Sequence, residues 1–177
     1  MPFHSRAYTL YELLMTLTLM ALIAGLGIPS FSNILARAKI HTEINALFHA
    51  IHLARKESIV RKRVVSLCPS VDLDTCSRRN DWSYGWLMFE NSDKDSPPQR
   101  DPGEPLLQAY KVDSNIRITA NRKGFTLRST YKRATNGTLV FCDRSGRVAP
   151  VALVVSFTGR PRVAEKTPRG NAYFCAD

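Results

Sequence analysis

The sequence predicts an α+β fold in which a long N-terminal helix packs against a C-terminal antiparallel β-sheet domain. Three observations support this prediction. An apolar stretch carries no charge between Glu12 and Arg37, a one-sided apolar pattern at helical spacing follows it, and short segments rich in β-branched and aromatic residues fill the remainder. No internal repeat or low-complexity linker divides the chain, so one helix and one globular domain account for its 177 residues.

The first element is an apolar segment from Leu13 to Ala36, and its length suits a membrane-spanning helix. About 20 apolar residues cross a hydrocarbon core of about 30 Å. Within it, Gly25, Gly27 and Pro29 predict a bend or a break. An ordinary secretory signal is not expected, because such a signal keeps acidic residues out of its apolar region and Glu12 stands at the start of this one. A carboxylate in a membrane helix costs roughly 2.5 to 3.5 kcal/mol, so Glu12 requires a cationic partner.

An amphipathic continuation of the helix is expected over residues 37–63. Its apolar residues recur at spacings of three and four and so share one face: Ile40, Ile44, Leu47, Phe48, Ile51, Ala54 and Ile59. That face is expected to pack against the globular domain. His49 and His52 have helical i, i+3 spacing, but no third ligand is nearby in the sequence, so no metal site is expected.

A β-rich globular domain is expected over residues 64–177. Its predicted strands are Arg63 to Cys68, Gly85 to Glu90, Leu106 to Val112, Ile116 to Ala120, Phe125 to Tyr131, Thr138 to Cys142 and Val151 to Phe157. Turn-forming residues separate these segments. Among them, Asn136-Gly137 predicts a hairpin turn, because both central residues of that turn type need positive φ.

Four cysteines indicate disulfide bonds in an oxidising compartment. Three pairings are possible. The favoured one joins Cys68 to Cys76, which closes a local loop, and Cys142 to Cys175, which ties the last residues to a strand. A zinc site is the alternative, but zinc ligands usually come as close pairs such as C-x2-C, and the sequence has none.

The charge balance points to an anionic partner. The formal net charge is +10, and 17 of the 25 basic residues are arginine. Arginine binds phosphate as a planar fork, whereas lysine acts as a point charge, so this bias favours a partner held by hydrogen bonds. Anionic lipid headgroups near a membrane are the competing explanation.

The basic excess centres on the segment Thr158-Gly-Arg-Pro-Arg162. Gly159 can turn the chain at little steric cost, and Pro161 stiffens the segment and favours an edge or a loop. Residues two apart in an extended chain point the same way, so Arg160 and Arg162 are expected to project together towards consecutive phosphates. Secondary contributions are expected from Lys132, Arg133, Arg144, Arg147, Lys166 and Arg169.

The N-terminus resembles that of type IV prepilins and type II secretion pseudopilins. This resemblance implies a leader over residues 1–7 and an assembly helix over residues 8–36. It also implies that a prepilin peptidase cuts between Ala7 and Tyr8 and methylates the new amine, although Ala7 and Tyr8 stand where the family usually has Gly and Phe. Glu12 would then pair with the N-terminal amine of a neighbouring subunit.

The C-terminal half extends this resemblance to the GspH/FimT family of minor pilins and pseudopilins. Three segments carry it: Gly85-Trp-Leu-Met-Phe89, the Gly-Arg-x-Arg element at residues 159–162, and the ending Arg169-Gly-Asn-Ala-Tyr-Phe-Cys175. The implied fold is type IV pilin-like. In that family the two arginines of the motif contact DNA, which assigns this role here to Arg160 and Arg162.

The resemblance implies a minor type IV pilin that binds extracellular double-stranded DNA without sequence specificity during DNA uptake for natural transformation. The subunit would cross the inner membrane once, with its globular domain in the periplasm, and would be exposed on the pilus after assembly. Its other partners would be pilin subunits.

One other function fits the same resemblance. A structural minor pilin or pseudopilin could prime or cap a pilus or a type II secretion pseudopilus without binding DNA. Enzymatic activity and cofactors are not expected, because the sequence contains no P-loop, dinucleotide fingerprint, nucleophile elbow or H-E-x-x-H.

Overall fold

The computed structural model describes residues 9–129 and 133–175, and it leaves the side chains of residues 26–30 undescribed. Over these residues the chain forms one long helix, α1 (Leu10–Arg61), followed by eight strands. The strands are β1 (Val65–Pro69), β2 (Gly85–Glu90), β3 (Leu106–Lys111), β4 (Ile116–Ala120), β5 (Phe125–Leu127), β6 (Gly137–Asp143), β7 (Val151–Val155) and β8 (Pro161–Ala164).

The chain divides into two compact units between Leu35 and Ala36. In the first unit the large apolar side chains of α1, such as Leu13 and Leu17, are exposed. A membrane span is predicted over residues 8–36, but among the described residues no helix is both long enough and apolar enough to cross a membrane. The predicted break at Pro29 is also wrong, because α1 continues through this position to Arg61.

In the second unit, two antiparallel four-stranded sheets share a core with the helix. One sheet has the strand order β3-β2-β1-β5 and the other β4-β6-β7-β8. The predicted helix stripe supplies five buried residues to this core, Ile40, Ile44, Leu47, Ile51 and Ala54. They pack with Trp86, Phe125 and Phe141 of the sheets and with Trp82 of the β1–β2 connection. Phe48 is only partly buried and Ile59 is 50% exposed, because each lies at the margin of the buried face.

A buried carboxylate lies at the contact of this helix with the sheets. Glu43 Oε1 accepts hydrogen bonds from the backbone N–H of Asp113 (3.1 Å) and from the Tyr110 hydroxyl (3.4 Å). Burial raises the pKa of Glu43 above its usual value, although these hydrogen bonds oppose the shift. Lys39, one helical turn before Glu43, forms a salt bridge of 3.1 Å with Asp113. Polar contacts therefore also fix the position of the helix against the β3–β4 connection.

Three strand predictions need correction. Phe125 to Tyr131 forms a strand only over Phe125–Leu127, and residues 130–132 lie outside the described part of the chain. Asn136-Gly137 is not a hairpin turn, because neither residue has positive φ and β6 pairs with β4 and β7 rather than with β5. Strand β8 was not predicted, because it begins with Pro161, which cannot donate a hydrogen bond to the sheet and is tolerated at its edge.

Candidate functional site

The Gly-Arg-Pro-Arg segment forms one arm of a tight hairpin between β7 and β8. The backbone N–H of Gly159 donates to the carbonyl of Ser156 (2.9 Å), and the N–H of Ser156 donates to the carbonyl of Arg160 (3.1 Å). Gly159 has φ of 71°, in the left-handed region, as expected for the last residue of a three-residue hairpin loop. The Ser156 hydroxyl accepts from the backbone N–H of Arg160 (3.2 Å) and contacts the Thr158 hydroxyl (2.8 Å). The loop is therefore closed by its own hydrogen bonds.

The hairpin tip is also fixed to the body of the domain. The guanidinium of Arg55, on α1, donates a hydrogen bond to the carbonyl of Thr158. The N–H of Ala134 donates to the carbonyl of Phe157 (2.9 Å). Gly159 is buried, and a Cβ added there would lie 2.8 Å from a methyl carbon of Leu127. Helix, strand β5 and the segment before β6 thus hold the turn that precedes Arg160.

Arg160 and Arg162 flank Pro161 at the start of β8. Pro161, between them, is buried and pairs with Val155, whereas Arg162 pairs with Val154. Both arginines are exposed, and β8 is the last strand of its sheet. Among the described residues, no carboxylate forms a salt bridge with either guanidinium. Two exposed guanidinium groups therefore lie at the end of the hairpin turn and on the edge strand β8, and no carboxylate in the described part of the chain pairs with them.

Further arginines lie next to the hairpin tip. The Arg133 guanidinium lies over the ring of Phe157, 5.3 Å from its centroid, and Arg128 donates to the carbonyl of Arg133 (3.3 Å). Of the secondary residues predicted from the sequence, Arg133 is therefore close to the motif, while Lys132 lies outside the described residues. Arg55 and Arg128 were missed, because Arg55 is 103 residues from its hydrogen-bond partner Thr158 and no local pattern connects them.

The other predicted basic residues lie at the opposite end of the sheet. Arg144 and Arg147 are in the β6–β7 connection, and Lys166 and Arg169 follow the far end of β8. The length of β7, roughly 14 Å from its first to its last residue, separates the two ends. The structure therefore does not bring these four residues together with Arg160.

An acid lies among the basic residues of that far end. Burial raises the pKa of Asp143, but hydrogen bonds from the Ser145 hydroxyl and the backbone N–H of Arg147 outweigh this effect and hold the pKa below its usual value. The β6–β7 connection thus contains a stable carboxylate beside Arg144 and Arg147. A cavity of about 470 Å³ at this end is lined by both signs of charge, including Arg37, Glu165 and Lys166.

The structure contains two disulfide bonds, Cys68–Cys76 and Cys142–Cys175. Cys68 is buried in a small cluster with Leu87 and Phe89 on the outer side of the first sheet. Cys142 is buried in β6 and holds the segment that follows Lys166 against the second sheet. This pairing is the one that the sequence favours.

Glu12 has a local role that the sequence interpretation missed. Its carboxylate accepts a hydrogen bond from the N–H of Thr9 (3.2 Å), and the Thr9 hydroxyl accepts one from the N–H of Glu12 (3.2 Å). This reciprocal pair is a capping box, and the Thr-x-x-Glu spacing could have revealed it. Ala7 and Tyr8, the predicted cleavage residues, lie outside the described part of the chain.

Two of the three histidines of α1, His49 and His52, are packed beside an aromatic ring. The ring centroid of Phe48 lies 5.6 Å from that of His49 and 4.8 Å from that of His52. Within residues 9–129 and 133–175, no group of three or more His, Cys, Asp or Glu side chains could hold a metal ion.

Comparison with known proteins gives a family and a fold. A family model described as type II transport protein GspH matches residues 43–159. The range ends at Gly159, so Arg160 and Arg162 lie just beyond it. No curated protein matches the chain.

Two solved structures resemble the chain in fold. The type IV minor pilin FimU of Pseudomonas aeruginosa is 17% identical, with a TM-score of 0.55, and the match covers 77% of this chain and 94% of that one. The minor pseudopilin EpsH from the type 2 secretion system of Vibrio cholerae is 10% identical, with a TM-score of 0.51, and the match covers 71% and 96% of the two chains. The long N-terminal helix and antiparallel sheets are thus a pilin-like fold.

Proposed function

The chain belongs to the GspH family, and from this premise we propose that it is a minor type IV pilin of the FimT kind that binds double-stranded DNA through the β7–β8 hairpin. The observation that carries the proposal is the pair Arg160 and Arg162, both exposed at the closed β7–β8 hairpin and without a carboxylate partner among the described residues. The proposed role is binding and assembly rather than catalysis.

Phosphate contact explains why these residue types suit the role. Guanidinium groups hold phosphate oxygens through paired hydrogen bonds, and a preformed hairpin loses little conformational entropy when the DNA binds. Phosphates carry no sequence information, so binding is independent of sequence and falls steeply with salt. Arg133, fixed over Phe157 next to the tip, adds a third cation to the same surface.

The remaining partners follow from pilin assembly. A prepilin peptidase would cut between Ala7 and Tyr8 and methylate Tyr8, and the amine of Tyr8 would pair with Glu12 of a neighbouring subunit. Before assembly the helix over residues 8–36 would anchor the subunit in the inner membrane, with the globular domain in the periplasm. After assembly the hairpin would be exposed on the pilus.

Replacing both arginines tests the DNA site. We expect Arg160→Ala with Arg162→Ala to weaken binding to a 24-base-pair duplex by roughly thirtyfold at low salt, taking about 1 kcal/mol for each lost phosphate contact. The slope of log affinity against log salt should fall by about 1.8, because about 0.9 is lost per phosphate contact. Fluorescence anisotropy on the full chain in a non-ionic detergent measures both quantities.

The matched control is Arg144→Ala with Arg147→Ala. It removes the same charge from the opposite end of the sheet. At about 0.15 M salt the Debye length, about 8 Å, is shorter than the distance between the two ends, so a site at the hairpin predicts an affinity within about twofold of the parent chain. Equal losses in the two double variants would show that net charge alone attracts DNA, and the proposed site would be wrong.

A structural subunit that does not bind DNA is the second candidate. It is favoured by the family's description as a type II transport protein and by the likeness to a secretion pseudopilin. Deleting the gene and assaying piliation and transformation separately discriminates the two. The DNA-binding role predicts pili of normal number with transformation reduced by at least about tenfold, whereas a priming or capping role predicts loss of the pili themselves.

A further inference from the structure

One end of the second sheet collects basic residues from three separate loops. Because β4 and β7 end there and β6 and β8 begin there, the β4–β5 loop, the segment before β6 and the β7–β8 hairpin lie side by side. The β4–β5 loop contributes Arg122 and Lys123, the segment before β6 contributes Arg133, and the hairpin contributes Arg160 and Arg162. All five side chains are exposed.

Hydrogen bonds join these loops into one continuous surface. Arg122 Nε donates to the carbonyl of Asn136 (3.1 Å), and the N–H of Asn121 donates to the carbonyl of Thr138 (3.1 Å). The N–H of Ala134 donates to the carbonyl of Phe157, which links the same segment to the hairpin. The relative positions of the Arg122–Lys123 turn and the hairpin are therefore set by the fold.

The Arg122–Lys123 turn borders a polar cavity. This cavity has a volume of about 340 Å³, and its lining includes Asn80, Asn121, Arg122 and Lys123. Two carboxylates stand beside lining residues in the sequence, Asp81 next to Asn80 and Asp95 next to Ser96, and each accepts a backbone hydrogen bond, from Ser83 (3.0 Å) and from Gln99 (2.8 Å). The cavity mouth thus offers amide and cationic donors, which are the groups that bind phosphate oxygens.

The distance between the β4–β5 loop and the β7–β8 hairpin matches a whole number of base-pair steps along a DNA duplex. The strand order β4-β6-β7-β8 places three strand spacings between the β4–β5 loop and β8. At about 4.8 Å each, they amount to about 14 Å. The rise of B-DNA is about 3.4 Å per base pair, so this distance corresponds to about four base pairs.

Building on the proposed function, we propose that DNA lies along this whole sheet end and that Arg122 and Lys123 form a second phosphate-binding point. The hairpin holds one part of the backbone, and the β4–β5 turn holds another about four base pairs away. Arg133, between these two points, adds to the positive electrostatic potential of the surface along which the DNA lies. The partner is the same sequence-independent duplex, now engaged over a surface rather than at a single motif.

Three double variants that remove equal charge test this inference on the full chain: Arg122→Ala with Lys123→Ala, Arg160→Ala with Arg162→Ala, and Arg144→Ala with Arg147→Ala as the control. Binding to a 24-base-pair duplex is measured by anisotropy from low to moderate salt. We expect the first two to lose at least about tenfold in affinity and about 1.8 in salt slope. The control should stay within about twofold at about 0.15 M salt, where the Debye length is about 8 Å.

A second variant guards against misfolding, since Arg122 also supports the loop before β6 through its bond to Asn136. Lys123→Glu changes the charge by the same two units and keeps that bond, so it should weaken binding by a similar factor without changing the melting temperature. If both variants at 122 and 123 bind like the parent while the hairpin variant loses affinity, the second point is refuted and the proposed function stands. If the hairpin variant also binds like the parent, the proposed function itself fails.

Discussion

Gly159→Ala is expected to lower the free energy of unfolding by about 2 to 3 kcal/mol. Part of this loss is backbone strain, because φ at Gly159 is 71° and a residue with a Cβ pays about 1 kcal/mol or more in the left-handed region. The rest is overpacking, since the new Cβ would lie 2.8 Å from a methyl carbon of Leu127 and 3.0 Å from the Arg55 guanidinium. Denaturant unfolding followed by circular dichroism measures the change.

Gly146→Ala is the matched control for this prediction. Gly146 has φ of 68° but nothing within 4 Å of an added Cβ, so it carries the backbone strain without the overpacking. It should cost only about 1 kcal/mol. The packing of the hairpin tip described above would be wrong if the two substitutions had equal effects. Gly159→Ala should also weaken DNA binding, because relief of the overlap moves the turn that positions Arg160.

Removal of the Cys142–Cys175 bond by serine substitution at both positions is expected to cost about 4 kcal/mol. The two cysteines are 33 residues apart, and a disulfide stabilises chiefly by restricting the unfolded chain, more so for a longer loop. Buried Cys142 would also lose the segment that the bond holds against β6. Thermal or urea unfolding under non-reducing conditions gives the difference.

The Cys68–Cys76 bond provides the comparison. Its cysteines are only 8 residues apart, and the same relation predicts a loss of about 2.5 kcal/mol for the corresponding double serine variant. A larger loss at Cys68–Cys76 than at Cys142–Cys175 would contradict this ordering and would show that the small cluster with Leu87 and Phe89 depends on its disulfide more than the C-terminal segment does.

Features with a local cause could be predicted from the sequence. The apolar stripe that contains Ile44, Leu47 and Ile51 is predictable, because residues three and four apart share one face of a helix. The structure confirms it, since these side chains are buried in the core. The capping box of Thr9 and Glu12 also has a local signature, the Thr-x-x-Glu spacing. The interpretation of Glu12 as a membrane carboxylate did not include it. Edge strand β8 could not be predicted from local pattern, because it is only four residues long and begins with Pro161, a poor strand former.

The amino-acid sequence by itself determined the fold class, the buried face of the helix, the favoured disulfide pairing and the motif that contains Arg160 and Arg162. Only the tertiary structure decided which basic residues accompany that motif. Arg144 and Arg147 are closer to it in sequence than Arg122, Lys123 or Arg55, yet they lie at the opposite end of the sheet. The physical reason is that every second connection between antiparallel strands lies at the same end of the sheet. Strand pairing, which is non-local in sequence, therefore decides which basic residues lie close together.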